Sequence, residues 1–144
     1  MMSTSIQNAL INQLDGFFTL KRKMDHPPLS IEGEAYFYLE SNQCIVYYEQ
    51  GLYVLNHIKH EFYQKRYFIF EKDTLKILTY QKTLLHEVCL SDLKPPCYHF
   101  SHIHFCHRDR YCFDFKINDK IINMKYQIYG PLKNYSIDTF LEKK

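Results

Sequence analysis

Ile31-Glu32-Gly33-Glu34-Ala35-Tyr36-Phe37-Tyr38-Leu39-Glu40 alternates apolar or small residues at odd positions with acids and tyrosines at even ones. Successive side chains on a strand point to opposite faces, so Ile31, Ala35 and Phe37 share one side and the glutamates the other. A helix would scatter the same residues around its surface. The stretch therefore reads as a half-buried β-strand, and most of the chain repeats its pattern.

Upstream, Gly16 to Met24 forms a first strand, closed by Asp25-His26-Pro27-Pro28, where proline cannot continue the pairing. Before it, Ile6, Ala9, Leu10 and Leu14 recur at helical spacing. Ser3 or Ser5 caps this helix and Asp15-Gly16 ends it. Downstream, Ser41-Asn42-Gln43 turns the chain. Cys44 to Glu49 and Leu52 to Asn56 follow as two strands, with Gly51 as a bend or bulge. Glu61 to Glu71 is a long strand ending at Lys72-Asp73. Leu75 to Tyr80 and Leu84 to Leu90 form a hairpin pair, and Ser91 to Pro96 is a loop. Tyr98 to Cys106, Tyr111 to Ile117, Ile121 to Tyr129 and Tyr135 to Leu141 complete the series, with Asn118-Asp119 as a tight turn.

A helix followed by short strands at regular spacing predicts one mainly β domain over 1–144, with the helix in 1–15 and the strands in 16–142. An antiparallel up-and-down barrel of about 8–10 strands removes exposed edges and encloses side chains or one small ligand. The 144 residues suffice for a single core. The aromatic content of 17%, with 13 Tyr and 11 Phe, favours strands.

A net charge of +2, with no basic run longer than Lys21-Arg22-Lys23, gives no nucleic-acid footprint. No apolar stretch approaches the ~20 residues of a membrane-spanning helix. The N-terminus carries no secretory signal and the five cysteines are an odd count, so reduced thiols and a cytoplasmic setting are expected.

The chemistry concentrates in His104-Phe105-Cys106-His107-Arg108-Asp109-Arg110-Tyr111. Tyr98, Phe100, His102, His104 and Cys106 alternate and share a strand face; Asp109 and Tyr111 begin the next strand. Polar groups inside a β-structure are costly unless satisfied. Arg66 shares parity with Phe62, Phe68 and Phe70, and His86 with Leu84, Val88 and Leu90. Each ionisable group on an apolar face must find a partner or shift its pKa.

Seven short motifs, in order along residues 10–142, resemble the proteins catalogued as domain of unknown function 6314. They are Leu14-Asp15-Gly16 with Arg22; Gly33-Glu34-Ala35-Tyr36-Phe37; Tyr47-Tyr48-Glu49-Gln50-Gly51; Arg66-Tyr67; Leu85-His86; His104, Cys106, Asp109 and Tyr111; and Gly130-Pro131-Leu132-Lys133-Asn134-Tyr135. Phe18 stands where that family usually has Trp, and Asn134 where it usually has Asp. The resemblance implies a calycin-like, lipocalin-like barrel and implies no activity.

The candidate ligand-binding set is Arg22, Glu49, Arg66, His86, His104, Cys106, Asp109, Tyr111, Lys133 and Tyr135, converging on a small polar or anionic molecule. Arg22 and Arg66 are the forks for a carboxylate or phosphate. Against this stands a purely structural use, in which Arg22–Glu49 or Arg66–Asp109 pairs staple strands together. An enzyme would use His104 as general base and Asp109 as its orienter, or Cys106 as nucleophile; its alternative is an inert buried thiol. No cofactor or metal is predicted: His86, His104 and Cys106 offer zinc donors without a paired C-x-x-C, and His104 or Cys106 as an axial haem ligand has no specific signal. The third alternative is a structural or partner-binding protein with a packed barrel. A binder needs a cavity of at least ~300 Å³. A monomer or homodimer is expected, with no membrane partner.

Overall fold

The alternation around Phe37 persists in the computed structural model, which describes residues 5–144. One helix, α1 (Ser5–Leu14), precedes ten strands. These are β1 (Gly16–Asp25), β2 (Pro28–Ser41), β3 (Cys44–Leu55), β4 (Ile58–Glu71), β5 (Thr74–Thr79), β6 (Leu84–Cys89), β7 (Cys97–Cys106), β8 (Asp109–Asn118), β9 (Ile121–Tyr129) and β10 (Asn134–Lys143). On β2, Ile31, Ala35 and Phe37 are buried while their even-numbered neighbours are partly or fully exposed.

Every strand pairs antiparallel with its neighbour in sequence except β6 with β7, and β1 pairs with β10. The result is the expected mainly β barrel with one short N-terminal helix, nearly closed. Strands β6 and β7 lie side by side as its two edges, joined by no backbone ladder.

Two expectations along β3 need correction. Cys44–Leu55 is one continuous strand, and it ends at a tight turn in which Asn56 and His57 have φ of +52° and +65°. Gly51 does not interrupt pairing, because it lies opposite Gly33 in an unbroken register. A Cβ on Gly33 would stand 2.0 Å from the Gln50 carbonyl oxygen, and one on Gly51 would stand 2.4 Å from the Phe62 ring. The two glycines let the sheet coil tightly while the ladder continues.

Helix α1 plugs one end of the barrel. Leu10 and Leu14 are fully buried, each burial contributing about 1.5–3 kcal/mol. Gln7 Nε2 donates to the Asn42 carbonyl at 3.3 Å and Gln13 Nε2 to the Pro96 carbonyl at 3.2 Å, fixing the helix to two loops of that end. The Ser3 cap lies outside the described residues. The helix of ten residues is not long enough to cross a membrane. Beneath it the interior is aromatic: Phe37 packs edge-on to Phe68 at 5.4 Å, and Phe100 stacks on Phe115 at 4.8 Å. The opposite half of the interior is polar and carries the site.

Candidate functional site

A carboxylate with no solvent contact must be neutralised by partners on every side. Glu49 on β3 is such a group, with 0% exposure. Arg22 on β1 forks onto it, Nη1 and Nη2 each 2.8 Å from a carboxylate oxygen. Arg22 Nε donates to Thr139 Oγ1 at 2.7 Å. Burial alone would lower the Arg22 pKa, but Glu49 overcomes it and raises it. The Tyr47 hydroxyl donates to the same carboxylate, and burial beside that charge pushes its pKa well up.

Gln64 on β4 extends the network. Its amide nitrogen faces the carboxylate, donating to Glu49 Oε1 at 2.6 Å, and its oxygen accepts from Arg66 Nε at 2.7 Å. Arg66 Nη1 donates to the Tyr126 hydroxyl at 3.2 Å. That hydroxyl lies 2.6 Å from His86 Nε2, and His86 Nδ1 lies 3.0 Å from His102 Nδ1 across the β6–β7 seam. The His86 ring is held flat against Phe113, centroids 4.2 Å apart. A single hydrogen-bonded chain thus crosses the barrel from Thr139 to His102.

The charges along this chain do not cancel. Arg22 and Glu49 neutralise each other. Burial, reinforced by His102, Arg66 and His104, pulls the His86 pKa down to about 3, so the imidazole is neutral. Among the described residues no carboxylate lies within ion-pair distance of Arg66. Three of its five N–H bonds serve Gln64 and Tyr126, which leaves one on each terminal nitrogen.

Arg66 borders space on two sides. A cavity of about 330 Å³ is lined by Arg66, His86, His104, Tyr111, Tyr126 and Tyr135, with Ile128 and Ile137 as apolar wall. A smaller one of about 150 Å³ lies between Arg66, Arg22, Glu49 and Met124. A broader depression of about 930 Å³ is lined by residues of β7–β10, His102 and Tyr126 among them, and its acids are already paired: Asp114 with His99 and Ser101, Asp138 with Asn123.

The expected residues divide into three groups. Arg66, His86, His104, Cys106, Tyr111 and Tyr135 meet at the larger cavity. Arg22 and Glu49 pair with each other beside the smaller one. Asp109 and Lys133 pair at the open rim at 3.1 Å, and Lys133 also donates to the Tyr111 hydroxyl at 3.3 Å. The hydrogen bond to Asp109, followed by that to Tyr111, raises the Lys133 pKa. A Cβ on Gly130 would stand 2.1 Å from Asp109 Oδ1, so the glycine of the Gly130-Pro131 turn makes room for this pair.

This arrangement corrects three expectations. Asp109 is paired with Lys133, so it neither staples Arg66 nor orients His104. Cys106 is exposed at a strand end instead of buried, and no histidine hydrogen-bonds it among the described residues. The interior holds two cavities, so it is not fully packed. Among the described residues no three His, Cys, Asp or Glu side chains are arranged to hold a metal ion. Gln64, His102, Tyr126, Tyr47 and Thr139 are not among the expected residues, although strand parity with Arg66, His104 and Met124 marks the first three.

The model of a family of unknown function, DUF6314, matches residues 14–143. No curated protein matches the sequence. Two solved barrels share the fold. The structure of EF1p2_mFAP2b bound to DFHBI is similar with a TM-score of 0.55 at 10% identity, over 97% of this chain and 100% of that one. A de novo designed fluorescence-activating β-barrel is similar with a TM-score of 0.53 at 4% identity, over 94% of this chain and 98% of that one.

Proposed function

The chain belongs to the family of unknown function DUF6314, whose description names no activity, and we propose from its geometry that it binds a small, partly apolar anion in the open half of the barrel. The observation that carries this reading is Arg66: a guanidinium with no carboxylate partner among the described residues, with one N–H unused on each terminal nitrogen, lining a cavity of about 330 Å³. Paired N–H donors of this kind match a carboxylate or phosphate. Leu85, Ile128 and Ile137 supply apolar wall, and His104, Tyr111 and Tyr135 supply polar contacts that fix orientation. This is a calycin-like, lipocalin-like use of the interior. A similar barrel bound to DFHBI supports the architecture as a small-molecule container.

Native mass spectrometry of freshly purified protein, followed by thermal shift against small carboxylates, phosphates and sulfonates, tests the proposal. A retained anion or stabilisation by members of that panel is expected. Stabilisation by neutral or cationic analogues alone would overturn it.

A further inference from the structure

Arginine has donors and no acceptor, and this gives the Arg66–Tyr126–His86–His102 chain a direction. Arg66 Nη1 donates to the Tyr126 oxygen, so the hydroxyl proton is free to go to His86 Nε2. His86 then carries its proton on Nδ1 and donates it to His102 Nδ1, leaving the His102 proton on Nε2. In this direction each link from Arg66 to His102 has one donor and one acceptor.

The reverse direction costs one bond. If His102 donates from Nδ1, His86 must accept there and donate from Nε2 to Tyr126. The Tyr126 oxygen then accepts from both Arg66 and His86, and its own hydroxyl proton must find another acceptor. Tyr126 borders both cavities, so that acceptor is whatever anion sits at Arg66. A protonated His102 carries hydrogen on both nitrogens and permits only the reverse direction.

We propose that His102 is a proton-binding site linked to anion occupancy at Arg66, so that the barrel takes up an anion and a proton together. The inference rests on the anion-binding reading above. In the empty barrel, protonating His102 strands the Tyr126 hydroxyl; in the filled barrel, the anion accepts it. Reciprocity requires that the anion in turn favour the proton.

The groups facing His102 agree with this. From β6 come neutral His86 and the carboxylate of Glu87; from its own strand comes His104; across the interior lie Tyr126 on β9 and the cation of Arg66 on β4. Its register partner on β8 is Phe113, which carries no charge. Asp114 and Lys125, on the outer faces of β8 and β9, are engaged with His99 and Asp138. Burial and His104 lower the His102 pKa against a smaller opposing effect of Glu87, so the empty site is neutral near pH 7.

Imidazole ¹⁵N NMR on the intact chain tests the direction, and titration with benzoate and inorganic phosphate tests the linkage. At pH 8 the free protein is expected to show His86 protonated on Nδ1 and His102 on Nε2, with His86 switching to Nε2 as His102 titrates. Benzoate stays ionised at pH 5.5 and 8. Its affinity is expected to rise toward pH 5.5, by at most about tenfold per pH unit. Tyr126→Phe should lose most of that dependence. Equal benzoate affinity at both pH values, or a His86 tautomer that does not switch, overturns the linkage and leaves the anion site standing. Failure of both anions to bind at either pH removes the anion site, and the linkage with it, even where the tautomer switch is seen.

Discussion

His86 on β6 and His102 on β7 face each other at 3.0 Å, Nδ1 to Nδ1, across the one place in the described barrel where neighbouring strands share no backbone ladder. An unpaired strand edge is a template for unwanted pairing. Here side chains, not backbone, hold the two edges together, and they do so beside the cavity. Beyond this contact β7 carries exposed Ile103 and Phe105 toward the open rim.

Acid should weaken the fold through this contact. The unfolded chain protonates His86 near pH 6.5, whereas the folded chain resists until about pH 3. Between those values the unfolded state holds more protons, so stability rises with pH. The His86 contribution is complete above about pH 6.5 and is lost progressively toward pH 3, at up to about 1.4 kcal/mol per pH unit. Urea denaturation from pH 7.5 to 4 should show a steeper acid loss for wild type than for His86→Gln. Parallel slopes would contradict it.

Breaking the Arg22–Glu49 pair on one side should be severe. Arg22→Met leaves a carboxylate of 0% exposure with only Tyr47 and Gln64, a loss of about 3–5 kcal/mol. Replacing both residues together with apolar ones should recover part of that, because the pair's desolvation cost disappears with it. Chemical denaturation of the single and double variants decides this.

Gly33→Ala should be destabilising out of proportion to one methyl. The new Cβ would meet the Gln50 carbonyl at 2.0 Å and the Gly51 Cα at 2.6 Å, and both are backbone atoms. Overpacking of this kind costs about 1–3 kcal/mol. A melting temperature within a degree of wild type would show that the β2–β3 coil does not need the close approach.

Much of this architecture is legible in alternation alone. Parity along β4 turns Arg66 inward, and parity along β7 places His104 and Cys106 on one face. What strand parity cannot supply is which inward side chains meet across the barrel, because that depends on register and curvature. Asp109 therefore reads as a partner for Arg66 or His104, yet the Gly130 turn brings Lys133 to it. Gly51 reads as an interruption because a lone glycine in a strand suggests a bulge; its partner Gly33 shows it permits coiling instead. Tyr126 and Gln64 sit in no conspicuous motif, although they connect Arg66 to both halves of the network.

The central claim is that Arg66 anchors an anion. NMR titration of wild type, Arg66→Lys and Arg66→Met with benzoate and inorganic phosphate at pH 7 tests it most directly. Wild type should show saturable shifts confined to residues around the larger cavity, such as Tyr126, His86, His104 and Tyr111. Arg66→Lys should bind more weakly, keeping charge without the fork. Arg66→Met, still folded, should lose about tenfold or more in affinity, the scale of one charge-assisted hydrogen bond. Equal affinity in wild type and Arg66→Met, or wild-type shifts that map outside the barrel, would contradict the account.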